Sequence, residues 1–244
     1  VSCTGFAAPG VDTRLIRRLG LPSTVGRTAV GFMGCHGAIN GLRAADALAR
    51  ATPGDAVLLC AVELCSLHFH YGWGEGQAVA NTLFADGAAT ALLRCRDDDE
   101  RAPGSWRVRA TGSCLLADSA EDMSWRIGDH GFEMNLGAKV PDLIREHLRP
   151  WLEVWLSQRG HSLDSVNAWA IHPGGPRIVS AVEKALSLGK EATAVSREIL
   201  AKYGNMSSPT MLFILNQLRR NGSYLPCVAL GFGPGLVAEA ALFL

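Results

Sequence analysis

The feature that most constrains the fold of this chain is a strand-to-helix junction between residues 28 and 51, where a glycine is followed by a cysteine. The apolar run from Thr28 to Met33 predicts a short buried strand, and Gly34 permits a sharp turn after it. Apolar or small residues then recur at steps of three and four, the period of a helix with one packed face. These residues are Ala38, Ile39, Leu42, Ala45, Leu48 and Ala49. The pattern predicts a tight turn that presents Cys35 at the start of a helix.

This position gives Cys35 a possible chemical use. At the first turn of a helix, unpaired backbone N–H groups and the positive end of the helix dipole favour a thiolate over a thiol. We therefore predict a lowered pKa and a nucleophilic sulfur near neutral pH. A similar strand–turn–helix elbow presents the serine of hydrolases. A free cysteine is also often a small buried apolar side chain, so this stretch by itself leaves both interpretations open.

Strand and helix signals alternate along the rest of the chain. Strands are predicted at residues 1–6, 56–67, 88–95, 106–116, 166–171, 224–230 and 236–244. Helices are predicted at residues 11–19, 77–84, 137–159, 176–188 and 196–202. We expect the helix at 137–159 to be interrupted near Pro150, and a further helix to start at Pro209 with Ser207 or Ser208 as its cap. The alternation favours an α/β fold with a mostly parallel, helix-covered sheet, in which 56–67 is a central strand and 106–116 an edge strand.

The most polar stretch of the chain, residues 97–105, predicts an exposed connection between two halves. The first half, residues 1–96, carries Cys35, and the second half comprises residues 106–244. A chain of 244 residues with 48% hydrophobic residues is long and apolar enough to bury a large core. Because it opens within a predicted strand at Val1 and lacks an initiator Met, we expect that an N-terminal part is missing.

Charge and cysteine usage exclude several classes of function. Lys and Arg number 23, as do Asp and Glu, so no net charge attracts nucleic acid or an anionic membrane. No apolar run reaches the roughly 20 residues that span a bilayer. We therefore expect a cytoplasmic protein with neither partner. The seven cysteines lack paired spacing, which predicts reduced thiols rather than a disulfide framework.

Two further polar residues lie in loops, and ligand-binding residues of α/β proteins are commonly found in the loops at the ends of strands. His172 ends a predicted strand, and Asn205 lies in a loop between two helices. An imidazole can stabilise the thiolate of Cys35, and together with an amide N–H it can hold the oxyanion of a thioester carbonyl or an enolate. Taken singly, His172 could be an ordinary hydrogen-bonded histidine and Asn205 a helix-terminating residue.

One cysteine and histidine cluster, Cys60, Cys65, His68 and His70, has the residue types of a metal site. On the predicted strand Cys60, His68 and His70 share a face while Cys65 points to the other. Four ligands could not converge from this arrangement. We therefore predict no metal site.

Four motifs in order resemble the signature set of the type III polyketide synthases, the chalcone and stilbene synthase family. They are Gly34-Cys35, IHPGGP at 171–176, YGNMSS at 203–208 and GFGPG at 231–235. The resemblance implies a thiolase-like layered αβαβα fold of two similar halves, the first of them incomplete here, assembled as a homodimer. It also implies malonyl-CoA and an acyl-CoA starter as substrates, with no metal or redox cofactor.

The resemblance also implies a role for individual residues. Cys35 matches the nucleophile that carries the acyl chain as a thioester, and His172 and Asn205 match the pair that polarises the malonyl thioester and stabilises the enolate formed by decarboxylation. Phe84 and Phe132 match two aromatic gatekeepers between the coenzyme A tunnel and the cavity. The other substrate-binding positions that the motifs imply are Cys65, His68, Met123, Ser207, Gly174, Pro234 and Gly235.

The sequence departs from the plant members at several of these positions. Cys65 and His68 stand where plant enzymes usually have small hydroxylated residues, a cysteine near the first position being a feature of bacterial members. Met123 stands roughly where plant enzymes have a glycine, and His36 replaces the usual aromatic or small residue after the nucleophile. The product, whether pyrone, resorcinol, chalcone-like or naphthalene-type, is therefore left open.

Two alternatives remain at this point. The priming ketoacyl-carrier-protein synthases of fatty-acid synthesis also use Cys, His and Asn. They typically have Gln-Ala-Asn after the histidine and a glycine at the position of Pro234, so residues 173–175 and Pro234 favour the polyketide interpretation. The other alternative is a non-catalytic fragment that serves as a scaffold or binding partner.

Overall fold

The computed structural model describes residues 1–5, 7–69, 71, 80–96, 102–129 and 131–244, the last range without the side chains of residues 131 and 132. The helices are α1 (Val11–Leu19), α2 (Gly37–Ala51), α3 (Val140–Ser157), α4 (Pro176–Leu186), α5 (Ala194–Tyr203) and α6 (Ser208–Arg220). The strands are β1 (Ala56–Glu63), β2 (Gly87–Arg94), β3 (Val108–Leu115), β4 (Met123–Gly128), β5 (Gly131–Leu136), β6 (Ala168–Ile171), β7 (Cys227–Gly233) and β8 (Val237–Phe243). Helix α1 ends at Gly20 in the left-handed conformation, as predicted.

The second half is built on a four-stranded sheet in the order β3-β8-β7-β6. Strands β6 and β7 run parallel, whereas β7–β8 and β8–β3 are antiparallel pairs. The expected mostly parallel sheet is therefore wrong for the described strands. The reason is the short turn between β7 and β8, which can join only antiparallel neighbours. Strand β3 lies at the edge, as its imperfect alternation predicted.

Alternate residues of this sheet face two separate parts of the core. Trp169 and Ile171 of β6 pack with the apolar faces of α3 and α4. Ala168 and Ala170 point the opposite way, toward α2 and α6. Helices cover both faces, which explains why β6, β7 and β8 read as continuous apolar runs rather than as alternating patterns.

In the first half, β1 and β2 form an antiparallel pair in which Ala56 lies opposite Arg94 and Glu63 opposite Gly87. Strand β1 is shorter than predicted, because a 3-10 helix at Cys65–His68 follows it. Among the described strands, β1 pairs only with β2, so the expected central position is not seen. Residues 80–83 are helical, and the other predicted helical residues up to 79 lie outside the described range.

Two N-terminal segments predicted as strands are irregular. Ser2 and Gly31 form an isolated bridge, and no longer ladder joins the described parts of segments 1–6 and 28–33. Val1 instead extends β1, donating to the carbonyl of Cys60 and accepting from the N–H of Val62. Phe32 is 63% exposed, so the run before Cys35 is not the buried strand that its apolar character indicated.

Two local differences have simple physical reasons. The hairpin β4–β5 was not predicted, since its strands alternate weakly and lie half-exposed. Helix α3 continues through Pro150, because that residue lies on the exposed face while Leu148 and Leu152 anchor the buried face.

Across the described residues, no helix combines the length and the apolar character that crossing a membrane requires.

Candidate active site

Cys35 lies in a 3-10 turn, Gly34–His36, that leads directly into α2. Gly34 has a φ of +68°, and a Cβ on it would lie 2.5 Å from Cδ of Pro234. Both the backbone conformation and the space therefore require glycine at this position. The close approach presses the turn against the loop between β7 and β8, which fixes where the sulfur lies.

Gly34→Ala should destabilise the fold and displace Cys35. A left-handed non-glycine residue costs about 1–2 kcal/mol, and the overlap with Pro234 brings the expected loss to about 2–5 kcal/mol. Gly20→Ala is a matched control, since Gly20 has a φ of +62° with no atom within 4 Å of its added Cβ. Urea denaturation should give only about 1–2 kcal/mol for that control. Equal losses in the two variants would contradict a fitted turn at Gly34.

Asn205 is oriented toward Cys35 by the backbone of its own loop. Its Oδ1 accepts the N–H of Ser207 at 2.8 Å, and its Nδ2 lies 4.0 Å from the sulfur of Cys35. Residues 83–85 hold the loop from the other side: the N–H of Asn205 donates to Leu83 at 2.8 Å, and its carbonyl accepts from Ala85 at 2.9 Å. The amide therefore presents N–H groups, not its oxygen, to the sulfur.

His172 follows β6 and is fixed through its backbone, which donates to the carbonyl of Leu230 at 2.8 Å. Its side chain is 1% exposed, and neither ring nitrogen has a hydrogen-bond partner among the described residues. The Asn205 side chain faces this imidazole closely enough to raise its pKa. Asn205 thus acts on both other groups, and the structure brings Cys35, His172 and Asn205 together from three distant parts of the chain.

Burial dominates the electrostatics of the site. It raises the pKa of Cys35 to about 12, although the side chains of Ser207 and Asn205 oppose this shift. It also lowers the pKa of His172 to about 3, helped by the nearby His36. The predicted lowering of the Cys35 pKa is therefore wrong. A helix terminus contributes about 0.3–1 kcal/mol, whereas full burial can shift a pKa by about 3–5 units.

This result gives a pH prediction for the free protein. A thiol with a raised pKa is protonated at neutral pH, so its alkylation by iodoacetamide should accelerate about tenfold per pH unit from pH 7 to 10. Peptide mapping by mass spectrometry would follow Cys35 separately from the other cysteines. A rate that levels off below pH 8 would show a preformed thiolate–imidazolium pair and contradict the neutral resting state.

Beside Cys35 lies a buried carboxylate to which sequence analysis assigned no role. Glu63 is fully buried and accepts hydrogen bonds from the N–H of Cys3 at 2.9 Å, the hydroxyl of Thr4 at 2.8 Å and the hydroxyl of Ser208 at 2.6 Å. Ser208 is thus engaged here rather than in capping α6, and Ser207 makes no capping bond either. The only sequence feature that could have indicated a role for Glu63 was its position as an acidic residue at the end of an apolar strand.

Several predicted binding residues surround this centre. Ser207 is buried in a strained conformation, with φ at 57°, and its side chain faces Cys35. Cys65 lies near Cys35, and burial together with that neighbour raises its pKa. His68 bonds through Nε2 to the Thr4 carbonyl at 2.6 Å and packs edge-on against Trp125. Phe84 forms a backbone bridge with Asn205, which places it at the rim of the site.

The remaining predicted positions lie on the loops that frame the centre. Gly174 donates to the carbonyl of His172 at 3.0 Å, and Gly235, with φ at 120°, donates to that of Met123 at 3.0 Å. Pro234 abuts Gly34 as described above. Phe132 lies opposite Ile127 in β5, and its side chain is outside the described residues.

No group of three or more potential metal ligands gathers within the described part of the chain. All seven cysteines are free thiols in the structure. Because β1 ends at Glu63, the shared strand face assumed for Cys60 and His68 does not exist. His70, the fourth residue of that cluster, lies outside the described residues.

Comparisons with known protein families match almost the whole chain. The model of the N-terminal domain of chalcone and stilbene synthases covers residues 1–96, and that of their C-terminal domain covers residues 108–244. The chain is 37% identical to the 1,3,6,8-tetrahydroxynaphthalene synthase of Streptomyces peucetius over 99% of its length. It is 32% identical to the alpha-pyrone synthesis polyketide synthase-like Pks18 of Mycobacterium tuberculosis over 98%. It spans 65% and 62% of these two relatives, respectively.

Solved structures give the same result for the fold. PKS-I of the brown alga Ectocarpus siliculosus superposes with a TM-score of 0.95 at 34% identity, over 99% of this chain and 66% of that one. The 1,3,6,8-tetrahydroxynaphthalene synthase of Streptomyces coelicolor gives 0.90 at 30% identity, over 99% and 69%. These likenesses confirm the predicted α/β, thiolase-like fold.

Proposed function

Because the chain belongs to the chalcone and stilbene synthase family, we propose that it catalyses decarboxylative Claisen condensation of malonyl-CoA with an acyl starter held on Cys35. The substrates are coenzyme A thioesters, and no metal or redox cofactor takes part. The product is a polyketide. Its class is left open between pyrone, resorcinol, chalcone-like and naphthalene-type compounds.

The observation that carries this proposal is the convergence of Cys35, Asn205 and His172 in one buried site. The Nδ2 of Asn205 lies 4.0 Å from the sulfur, and the Asn205 side chain also raises the pKa of His172. A half-buried thiol, an amide donor and a buried imidazole without a hydrogen-bond partner among the described residues have little structural use together, since unpaired buried polar groups cost stability. They suit a reaction in which a thioester is attacked and an oxyanion is formed.

In the loading step, the sulfur of Cys35 attacks the carbonyl carbon of the acyl-CoA starter. Burial opposes a lone charge on either the thiol or the imidazole, so the thiol proton passes to a nitrogen of His172 as the new carbon–sulfur bond forms. Coenzyme A leaves as its thiol and takes up that proton. The acyl group is then held on Cys35 as a thioester.

In the extension step, malonyl-CoA loses its free carboxylate as CO2. The electron pair of the broken carbon–carbon bond forms an enolate, whose oxygen accepts hydrogen bonds from Asn205 and from His172. The enolate carbon attacks the acyl thioester, and the carbon–sulfur bond to Cys35 breaks. The sulfur leaves as a thiolate, which takes up a proton from solvent and becomes the thiol again. The product is a β-keto thioester of coenzyme A, which Cys35 can take up again for another extension.

The test is incubation of the purified protein with malonyl-CoA and a panel of fatty and aromatic acyl-CoA starters. We expect CO2 release, release of free coenzyme A and products longer than the starter, as detected by mass spectrometry. Coenzyme A release only when an acyl-carrier protein is supplied would instead identify a priming synthase of fatty-acid synthesis. Absence of both reactions would favour a non-catalytic role.

We also propose that the protein acts in the cytoplasm as a homodimer. Large apolar side chains are exposed near the site, with Phe32 at 63% and Leu67 at 59% exposure, and a second copy of the chain would cover them. Analytical ultracentrifugation at micromolar concentration should give twice the mass of one chain. A monomer at that concentration would contradict the proposal.

A further inference from the structure

Glu63 links the two segments that carry Cys35 and Asn205. On one side, its Oε2 accepts the N–H of Cys3 at 2.9 Å, and the sulfur of Cys3 accepts the N–H of Gly34 at 3.1 Å. Gly34 immediately precedes Cys35. Glu63 is therefore joined to the turn that contains the nucleophile through one intervening residue.

The other oxygen of Glu63 reaches the loop that carries Asn205. Its Oε1 accepts the hydroxyl of Ser208 at 2.6 Å. Ser208 begins α6 and directly follows Ser207, whose N–H donates to Oδ1 of Asn205 at 2.8 Å. That bond leaves Nδ2 of Asn205 facing the sulfur of Cys35, at 4.0 Å. One carboxylate thus joins the two segments that supply the sulfur and the amide.

The two segments also pack against each other. Gly37 is the first residue of α2, two positions after Cys35, and a Cβ placed on it would lie 3.6 Å from Cβ of Ser208. This separation is that of ordinary van der Waals contact, so the start of α6 lies against the start of α2. A change in the position of Ser208 therefore acts directly on the helix that follows Cys35.

The carboxylate of Glu63 is fully buried, and each of its oxygens has a donor in the described chain. Thr4 also donates its hydroxyl to Oε2 at 2.8 Å, and the oxygen of that hydroxyl accepts the N–H of Leu64 at 2.8 Å. A buried acidic group often stabilises a fold no better than a well-packed apolar residue would. A fully hydrogen-bonded polar network does, however, fix one geometry. The arrangement favours a role for Glu63 in geometry rather than in stability.

We propose that Glu63 is a positioning residue, which holds the Cys35 turn and the Asn205 loop at the spacing that condensation requires. This inference rests on the proposed function, in which the sulfur and the amide act on the reacting thioesters. Glu63 acts through Cys3 and Ser208 and not by contact with the substrate. Its effect on the rate is nevertheless large, because a misplacement of about 1 Å at a catalytic group can cost about 10²-fold.

The first test compares Glu63→Leu with Glu63→Gln. Leucine is of comparable size but has no acceptor, so both links are lost. Glutamine keeps them, with its carbonyl oxygen toward Cys3 and Thr4 and its NH2 group donating to the Ser208 hydroxyl. Glu63→Leu should lower kcat about 10²-fold with little change in KM, and Glu63→Gln should stay within about threefold of wild type. Equal kcat for Glu63→Leu and wild type, or equal losses in the two variants, would overturn the proposal.

Two further variants each break one link. Cys3→Ala removes the sulfur bonded to the nucleophile turn and should slow acyl loading of Cys35 about tenfold, with malonyl-CoA decarboxylation unchanged. Ser208→Ala removes the link to the other segment and should slow decarboxylation about tenfold, with loading unchanged, because the Asn205 amide is less well fixed. Equal slowing of both steps in both variants would indicate a merely structural role and overturn the proposal. Should Glu63→Leu fail to fold, these two variants decide.

Hydrogen exchange measures the two links without any substrate. In Glu63→Leu the amides of Gly34 and Ser207 should exchange at least about tenfold faster than in wild type, and in Glu63→Gln they should be unchanged. Glu183→Leu is the matched control, since Glu183 is a partly buried glutamate of α4 that accepts hydrogen bonds from Arg197 of α5. Its loss should leave both amides at the wild-type rate.

Unchanged exchange in Glu63→Leu would overturn the inference, as would equal acceleration of both amides in Glu183→Leu. Failure of the proposed function is seen separately, as absence of malonyl-CoA turnover in wild-type protein whose exchange still responds to Glu63→Leu.

Discussion

Cys35→Ala is expected to abolish the acyl-enzyme and to reduce condensation by at least about three orders of magnitude. The sulfur is the only proposed nucleophile, and removal of a catalytic nucleophile commonly costs a factor of this size or more. Decarboxylation of malonyl-CoA should continue at a measurable rate, since His172 and Asn205 remain in place. Intact-mass spectrometry after incubation with an acyl-CoA would show whether the acyl group is attached.

Cys114→Ala provides a matched control for that variant. Cys114 is a half-buried free thiol on β3, in the edge strand of the main sheet. Its loss should leave both the acyl-enzyme and the condensation rate at the wild-type level. An acyl adduct that persists in Cys35→Ala, or a condensation rate close to that of the parent, would refute the role of Cys35.

His172→Gln and Asn205→Ala should each slow malonyl-CoA decarboxylation by about 10²–10³-fold. Asn205→Ala removes one donor to the enolate oxygen, and His172→Gln replaces the imidazole N–H with the amide of a more flexible side chain. Loss or misplacement of a single oxyanion donor typically has this effect. His172→Gln should also slow the loading of Cys35, because the variant lacks the base that takes the thiol proton. Release of CO2 and burst formation of the acyl-enzyme would measure the two effects separately.

His161→Gln and Asn221→Ala are the corresponding controls. Asn221 lies at the end of α6, where it accepts a hydrogen bond from Gln217 at 2.8 Å. His161 lies in the loop after α3, where its Nδ1 is 3.4 Å from the Ser165 hydroxyl. Neither control should change decarboxylation. Loss of activity in the controls as well would indicate general instability rather than a role in the reaction.

Local sequence patterns predicted the elements whose apolar residues have a clear period or whose ends carry a clear signal. Helix α2 and helix α4, which begins at Pro176, lie where their patterns placed them. Prediction failed for the run from Thr28 to Met33, where apolar character by itself did not make a strand. A strand needs a hydrogen-bonded partner, and the described chain offers this run only the bridge to Ser2.

The residues of the candidate site could be selected from motifs, but their protonation states could not be predicted from them. The motif resemblance picked out Cys35, His172 and Asn205, which the structure brings together. Their pKa shifts follow from burial, which depends on the whole packed surroundings. The predicted thiolate is wrong for this reason. The helix start favours the thiolate of Cys35 less strongly than desolvation in the folded protein opposes it.

The sequence by itself determined the family, the α/β class and the turn that contains Cys35, because these depend on local residue order. Tertiary structure alone decided which groups meet. Glu63 receives hydrogen bonds from Cys3, Thr4 and Ser208, residues up to 145 positions away, and His36 is linked to Glu239 on the last strand. Contacts between distant residues depend on how the helices and sheets pack, and no local pattern encodes that packing.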